Sequence, residues 1–239
     1  MCGRFTLTSP ASVLASLFEI EPPAGLAPRY NIAPSQDVLA VRRTDEEQGR
    51  EAALVRWGLI PGWAKDPSIG NRLINARSET AAEKPSFRAA MRRRRCLIPA
   101  DGFYEWAALE GSAKRPYLIR LSSGEPFALA GLWERWQPDD AEPVESCTIL
   151  TTTANESLAR LHGRMPVIIE PAEYDRWLLA RGRDGPLPSD LLVPFPADRM
   201  TFHEVSRVVN SPRNDDPSCI EPIDGGAAPE QPSLPLTPE

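Results

Sequence analysis

The chain begins Met1-Cys2-Gly3-Arg4-Phe5, so cleavage after Met1 would leave one terminal residue carrying both an α-amine and a thiol. Cysteine is small enough to permit removal of the initiator. In water the amine titrates at about 7.7–8.0 and the thiol at about 8.5, so a useful fraction of each is deprotonated near neutral pH. Such a pair suits aldehydes. The amine condenses to an imine, and the thiol then closes a five-membered thiazolidine.

Four further segments hold side chains able to serve that chemistry. Asn75-Ala76-Arg77-Ser78-Glu79 combines an amide, a guanidinium and a hydroxyl, and reads as a polar loop before a helix, either an anion cradle or a simple turn that caps it. In Gly102-Phe103-Tyr104-Glu105-Trp106 a carboxylate stands between two aromatics. Partial desolvation there raises its pKa toward the range of a proton carrier, whereas a strand edge would leave Glu105 facing water. His162-Gly163-Arg164-Met165-Pro166 falls where a helix should end. The dipole there favours an imidazolium able to act as general acid, and a plain helix terminus with Gly163 as its cap is the other reading. The loop Trp57-Gly58-Leu59-Ile60-Pro61-Gly62-Trp63 is strongly apolar, and Trp63, if exposed, can stack on or wedge against a base. Two basic features read as structural. Arg92 to Arg95 fit the C-terminal end of a solvated helix, and His203 fits an outward position on a strand.

Short strands must position these groups. Alternation marks residues 2 to 7, 37 to 43 and 52 to 57, and further strands are expected at 95 to 99, 116 to 122, 127 to 133, 145 to 152, 165 to 170 and 199 to 205. Ser9-Pro10 opens a helix over 10 to 18. A capping-box spacing, Thr80 to Glu83, opens another that resumes after Pro85 with Phe87, Ala90 and Met91 on one face. Helices are also expected after Thr153, with Leu158 and Leu161 inward, and over 172 to 179. Strands and helices do not alternate regularly. That pattern predicts an α+β single domain with a mostly antiparallel, barrel-like composite sheet and a few short helices.

Composition narrows the class. At 239 residues the core needs no disulfides, and 26 prolines, about double the usual share, favour short elements. Cys2, Cys96, Cys147 and Cys219 form no Cys-x-x-Cys and have two histidines for company, so no metal and no cofactor is expected. Absence of a signal peptide or membrane span points to a reducing cytoplasm. The net charge of -6 lies in the last residues: 214 to 239 hold Asp215, Asp216, Glu221, Asp224, Glu230 and Glu239 with no Lys or Arg, leaving 27 acids against 27 bases. A folded domain over 1–213, neutral overall and free to carry a local basic surface, is therefore expected, followed by a disordered acidic, proline-rich tail over 214–239.

Taken in order, Met1 to Phe5, Tyr30-Asn31-Ile32-Ala33-Pro34-Ser35-Gln36, Arg56 to Pro61, Asn75 to Glu79, Gly102 to Trp106 and His162 to Pro166 closely resemble the SOS-response-associated peptidase family, from residue 1 to about 213. The resemblance implies capture of abasic sites in single-stranded DNA by Cys2 after autocatalytic loss of Met1. It implies catalytic roles for Cys2, Asn75, Glu105 and His162, and DNA contacts by Arg4, Trp63, Arg77, Trp106 and Arg164. It also implies a monomer that meets the nucleoid only when bound to DNA. Two other readings begin from the same terminus: an N-terminal-nucleophile amidohydrolase of the glutamine amidotransferase kind, and a non-covalent reader of modified bases.

Overall fold

Runs of apolar and β-branched residues broken by Pro and Gly form short strands, because each run is long enough for one face of a sheet and is stopped before it can extend. The structure, a computed structural model, describes residues 2–43, 49–107, 114–138, 142–179 and 186–223. In chain order its strands and α-helices are β1 (Phe5–Leu7), α1 (Ala11–Phe18), β2 (Arg29–Ile32), β3 (Asp37–Arg42), β4 (Glu51–Trp57), β5 (Asn75–Arg77), α2 (Ser78–Ala81), α3 (Arg88–Arg93), β6 (Arg95–Ala100), β7 (Gly102–Ala107), β8 (Arg115–Leu121), β9 (Phe127–Trp136), β10 (Val144–Thr153), β11 (Arg164–Pro166), β12 (Ile168–Ile169), α4 (Tyr174–Leu178) and β13 (Met200–Glu204).

Strands β10, β4, β3, β6 and β9 pair in that order, and β9 pairs back onto β10, closing a five-stranded barrel. Only the β4–β10 pair within it is parallel. A second, antiparallel sheet has the order β13-β8-β7-β1-β2. The expected class holds: one α+β domain, a barrel plus a sheet, and short helices. Phe5 of β1 meets Trp57 of β4 edge-to-face, with centroids 5.2 Å apart, and both rings are buried where sheet and barrel join. Removing rings of this size from water contributes about 1.5–3 kcal/mol each.

Inside the barrel β6 and β9 approach so closely that a Cβ on Gly131 would stand 2.8 Å from the Cys96 sulfur. At the barrel mouth Gly58 has φ 130°, and a Cβ there would meet the Gly70 carbonyl oxygen at 2.7 Å. Glycine is required on both counts. The chain after Gly58 is then sewn down by Leu59 N–H to Leu73 C=O (3.2 Å) and Ile60 N–H to the Ser146 hydroxyl (2.8 Å).

Several expectations change. Asn75–Arg77 is a strand, not a loop, because β10 leaves the barrel at Ile149 and pairs with it in parallel. The helix that follows starts at Ser78, before the capping-box residues, so Thr80 does not cap it. After Thr153 there is one 3-10 turn, Leu158–Arg160, in place of an α-helix, so the expected dipole at His162 is missing. The run expected at 165 to 170 breaks into β11 and β12, which pair with different strands. Arg95 is not on a solvated face: it opens β6, is 4% exposed, and donates to the carbonyls of Met91, Trp177 and Leu179. Burial lowers its pKa to about 10. His203 is half-buried and lies 3.0 Å from the Ile220 carbonyl.

The packed chain also runs past the expected boundary at 213. Asp215 accepts from the main-chain N–H groups of Tyr30 and Asn31 and from Arg29, while Cys219 is buried against Tyr104. Residues 224–239, where the rest of the expected tail falls, lie outside the described residues.

Candidate active site and DNA-binding surface

Cys2 is brought to the interior by β1. Its strand pairs with β7 through Phe5↔Phe103, and the ladder continues with Tyr104 N–H donating to Arg4 C=O at 3.0 Å, which draws Gly3 and Cys2 alongside Glu105 and Trp106. The far end of β1 is fixed by Asp101, 3% exposed, which accepts from Thr8 and Ser9 main-chain and hydroxyl groups.

From the barrel side β5 delivers Asn75. Its Nδ2 donates to the Cys2 carbonyl at 2.7 Å, and its buried Oδ1 takes no hydrogen bond among the described residues. Sheet and barrel thus meet at one residue. Glu105 projects from β7, opposite Tyr117 of β8, and is 5% exposed. The Cys2 thiol is fully buried; burial, with the negative charge of Glu105 added to it, pushes its pKa well up. In this form of the chain the thiol is neutral and covered, so any reaction at Cys2 needs its surroundings to open.

His162 sits just before β11, half-buried, its N–H bonded to Leu158 C=O and its Nδ1 accepting from Arg164 N–H at 2.9 Å. Arg164 is engaged within the fold. Nη1 and Nη2 bind the Glu79 carboxylate at 2.6 and 2.9 Å, and Nη2 also reaches Thr151 C=O at 2.5 Å. It ties α2, β10 and β11 together beside the site. Arg4 is similarly engaged, with Asn31 Oδ1 and Val209 C=O each at 2.8 Å and Asn210 C=O at 3.3 Å.

Trp63 is 59% exposed, as a stacking or wedging role requires, and Arg77 is exposed with no side-chain hydrogen bond among the described residues. Trp106 is half-buried, held by its Nε1 on Asn210 Oδ1 at 2.7 Å with the Arg4 guanidinium 5.9 Å from its ring centroid. The structure therefore brings together Cys2, Asn75 and Glu105, with Arg4 and Trp106 adjoining. Asn31 and Glu79 lie within the matching segments but have no role assigned by them, and Thr151, Asn210 and Asp215, which also frame the site, carry no local motif that singles them out. Among the described residues no group of three or more His, Cys, Asp or Glu is placed to hold a metal, and no helix is long and apolar enough to cross a membrane. A cavity of about 830 Å³ between α1, the β8–β9 turn and α4 is lined by none of the candidate residues.

Fold and site together define a class: a sheet-rich domain that presents a near-terminal cysteine between an amide from a barrel edge and a carboxylate from a second sheet. The chain belongs to the SOS response associated peptidase (SRAP) family, whose model matches residues 1–212. It is 44% identical over 224 residues to the abasic site processing protein YoqW of Bacillus subtilis, covering 92% of this chain and 99% of that one. It is 32% identical to the abasic site processing protein HMCES of Rattus norvegicus, covering 94% of this chain and 76% of that one. Among solved structures, a Bacteroides thetaiotaomicron protein superposes with a TM-score of 0.82 at 27% identity, over 93% of this chain and all of that one (100%). A Bordetella bronchiseptica protein does so with 0.73 at 30% identity, over 86% and 100%.

Proposed function

We propose that this protein processes abasic sites in single-stranded DNA by covalent capture on Cys2. Water hydrolyses the Met1–Cys2 peptide bond, freeing the α-amine. The amine adds to the aldehyde of the ring-opened deoxyribose and expels water to give an imine. The thiol then adds across the C=N bond, its proton passing to nitrogen, and the product is a thiazolidine formed with net loss of one water. The supporting observation is the hydrogen bond from Asn75 to the Cys2 carbonyl beside buried Glu105.

Each side chain has a defined task in this reading. Asn75 holds the Cys2 main chain and offers Oδ1 to the new amine, fixing its approach to the aldehyde carbon. Glu105 carries protons: from the amine as it attacks, and to and from water during loss of Met1 and reversal of the crosslink. His162 protonates the sugar ring oxygen as the ring opens. Arg77 binds phosphate, Trp63 and Trp106 contact bases, and Arg4 contributes charge to the same surface. The catalytic and DNA-binding unit is the domain read from 1–213, braced by the residues up to 223, and it acts as a cytoplasmic monomer without cofactor.

The relatives named as abasic site processing proteins support this assignment. It is tested by incubating mature protein with an abasic single strand and separating the products under denaturing conditions. A heat-stable adduct that Cys2→Ala cannot form, and that Cys2→Ser forms only as a borohydride-trappable imine, is expected. A stable adduct with Cys2→Ala overturns the reading.

A further inference from the structure

Beside Trp106 an open recess of about 440 Å³ is lined by Arg4, Trp106, Lys114, Arg207 and Asn210, three cations with no carboxylate among them. Three rigid pieces build it. Trp106 lies on β7 opposite Pro116 of β8, and Lys114 directly precedes β8. Arg207 begins a 3-10 turn, Arg207–Asn210, whose start is fixed by the Ser206 hydroxyl accepting from Val208 N–H. The cations are not equivalent. Arg4 has its guanidinium directed onto Asn31, Val209 and Asn210, whereas Lys114 and Arg207 are exposed and make no hydrogen bond or ion pair among the described residues.

We infer that this recess is a phosphate subsite for a nucleotide flanking the reacting one, with Lys114 and Arg207 as its ligands. The inference rests on the single-stranded DNA reading above and extends it to residues outside the matching motifs. Its placement follows from the chain: Arg4 is two residues from Cys2, and Trp106 adjoins Glu105. Trp63 and Arg77 belong to segments joined to the barrel, so a strand crossing Cys2 meets one positive flank on the barrel side and the other in this recess. Nothing acidic in the lining opposes a phosphate, and no rearrangement of existing pairs is needed to free the two side chains.

Equilibrium binding of a fluorescently labelled, undamaged single strand to the full chain at several salt concentrations tests this without requiring the covalent step. The double variant Lys114→Glu/Arg207→Glu should bind about ten-fold more weakly at low salt, and its log–log salt slope should be shallower by about 0.7, the change expected when one phosphate of a single strand is no longer neutralised. Lys114→Arg/Arg207→Lys should retain wild-type binding, and so should Arg199→Glu, which changes charge on the remote 830 Å³ cavity. An unchanged slope in the double reversal, or an equal loss in Arg199→Glu, overturns the subsite. A second arm follows adduct formation on abasic strands shortened from one end at a time: the double variant should match wild type on the shortest strand and lose the gain that flanking nucleotides give. A slope change in the double variant, together with no adduct from wild-type protein, keeps the subsite and removes the capture reading.

Discussion

Asn75 lies on β5 at the barrel edge and Cys2 lies just before β1 of the other sheet, and the hydrogen bond between the Asn75 amide and the Cys2 carbonyl, 2.7 Å long, joins the two. Placement of the terminus is therefore a tertiary property. Asn75→Ala should slow adduct formation by about 10²-fold, the scale expected when a reacting group is misplaced, while costing the fold only about 1–3 kcal/mol for the acceptor it leaves buried. Single-turnover capture rates and thermal melts of the same variant check both parts. A normal rate would remove Asn75 from the site.

Glu105→Gln keeps shape and burial but cannot carry a proton. Slower crosslink formation and slower reversal are expected, by about 10²-fold or more, with the melting temperature held. Rates equal to wild type in both directions across neutral pH would exclude the carboxylate from the chemistry.

Arg77 and Arg164 stand two residues from, respectively, Asn75 and His162, yet their surroundings predict opposite behaviour. Exposed Arg77 should behave as a phosphate ligand, so Arg77→Glu weakens capture at low salt and loses its handicap as salt rises. Arg164 is bound by Glu79 and Thr151, so Arg164→Ala should lower stability without changing the salt slope of DNA binding. A salt slope altered by Arg164→Ala and not by Arg77→Glu would reverse the assignment.

Arg164 also sets an acid limb. Its hydrogen bonds hold the Glu79 carboxyl below the usual range, so this pair stabilises the fold above the unfolded carboxyl pKa of about 4.3 and loses that contribution as pH falls further. Glu79 is about half exposed, which keeps the effect small. Melting temperatures of wild type and Glu79→Gln should converge as pH falls from 6 to about 3; a constant gap contradicts the pairing.

An alkaline limb has a larger source. Burial pushes up the thiols of Cys2, Cys96 and Cys147 and the phenols of Tyr104 and Tyr174. Groups whose folded pKa exceeds the unfolded one stabilise the fold fully below the unfolded value and lose that stabilisation as pH rises toward the folded value. Stability should hold through neutrality and decline above about pH 8.5 as the thiols ionise in the unfolded chain, with the phenols adding to the decline only above about pH 10, by up to about 1.4 kcal/mol per pH unit for each group. Urea midpoints measured in reducing buffer from pH 7 to 10 test this, and a flat profile contradicts it.

The barrel strands are legible in sequence because β3, β4, β6, β9 and β10 hold apolar runs, β-branched in all but β9, with clear breaks between them. Strand β5 is not. Asn75 and Arg77 have no strand propensity to show, and they take extended form only because β10, distant in sequence, offers an edge. For the same reason the capping box at Thr80 misleads: the helix start is set where β5 ends. Four consecutive arginines look uniformly solvated, but the last opens β6 and must satisfy three carbonyls left by α3 and the chain end of α4. Among the site residues Cys2, Asn75 and Glu105 are legible individually and as an ordered set. Commitment of Arg164 to Glu79 is not, since that ion pair spans two segments joined only through the fold.

Intact mass of the protein after incubation with an abasic single strand tests the central claim most directly. Capture on a mature terminus predicts one species whose mass equals the chain without Met1, plus the oligonucleotide, minus one water. Retention of Met1 in the adduct, or a corresponding stable adduct formed by Cys2→Ala, would contradict it.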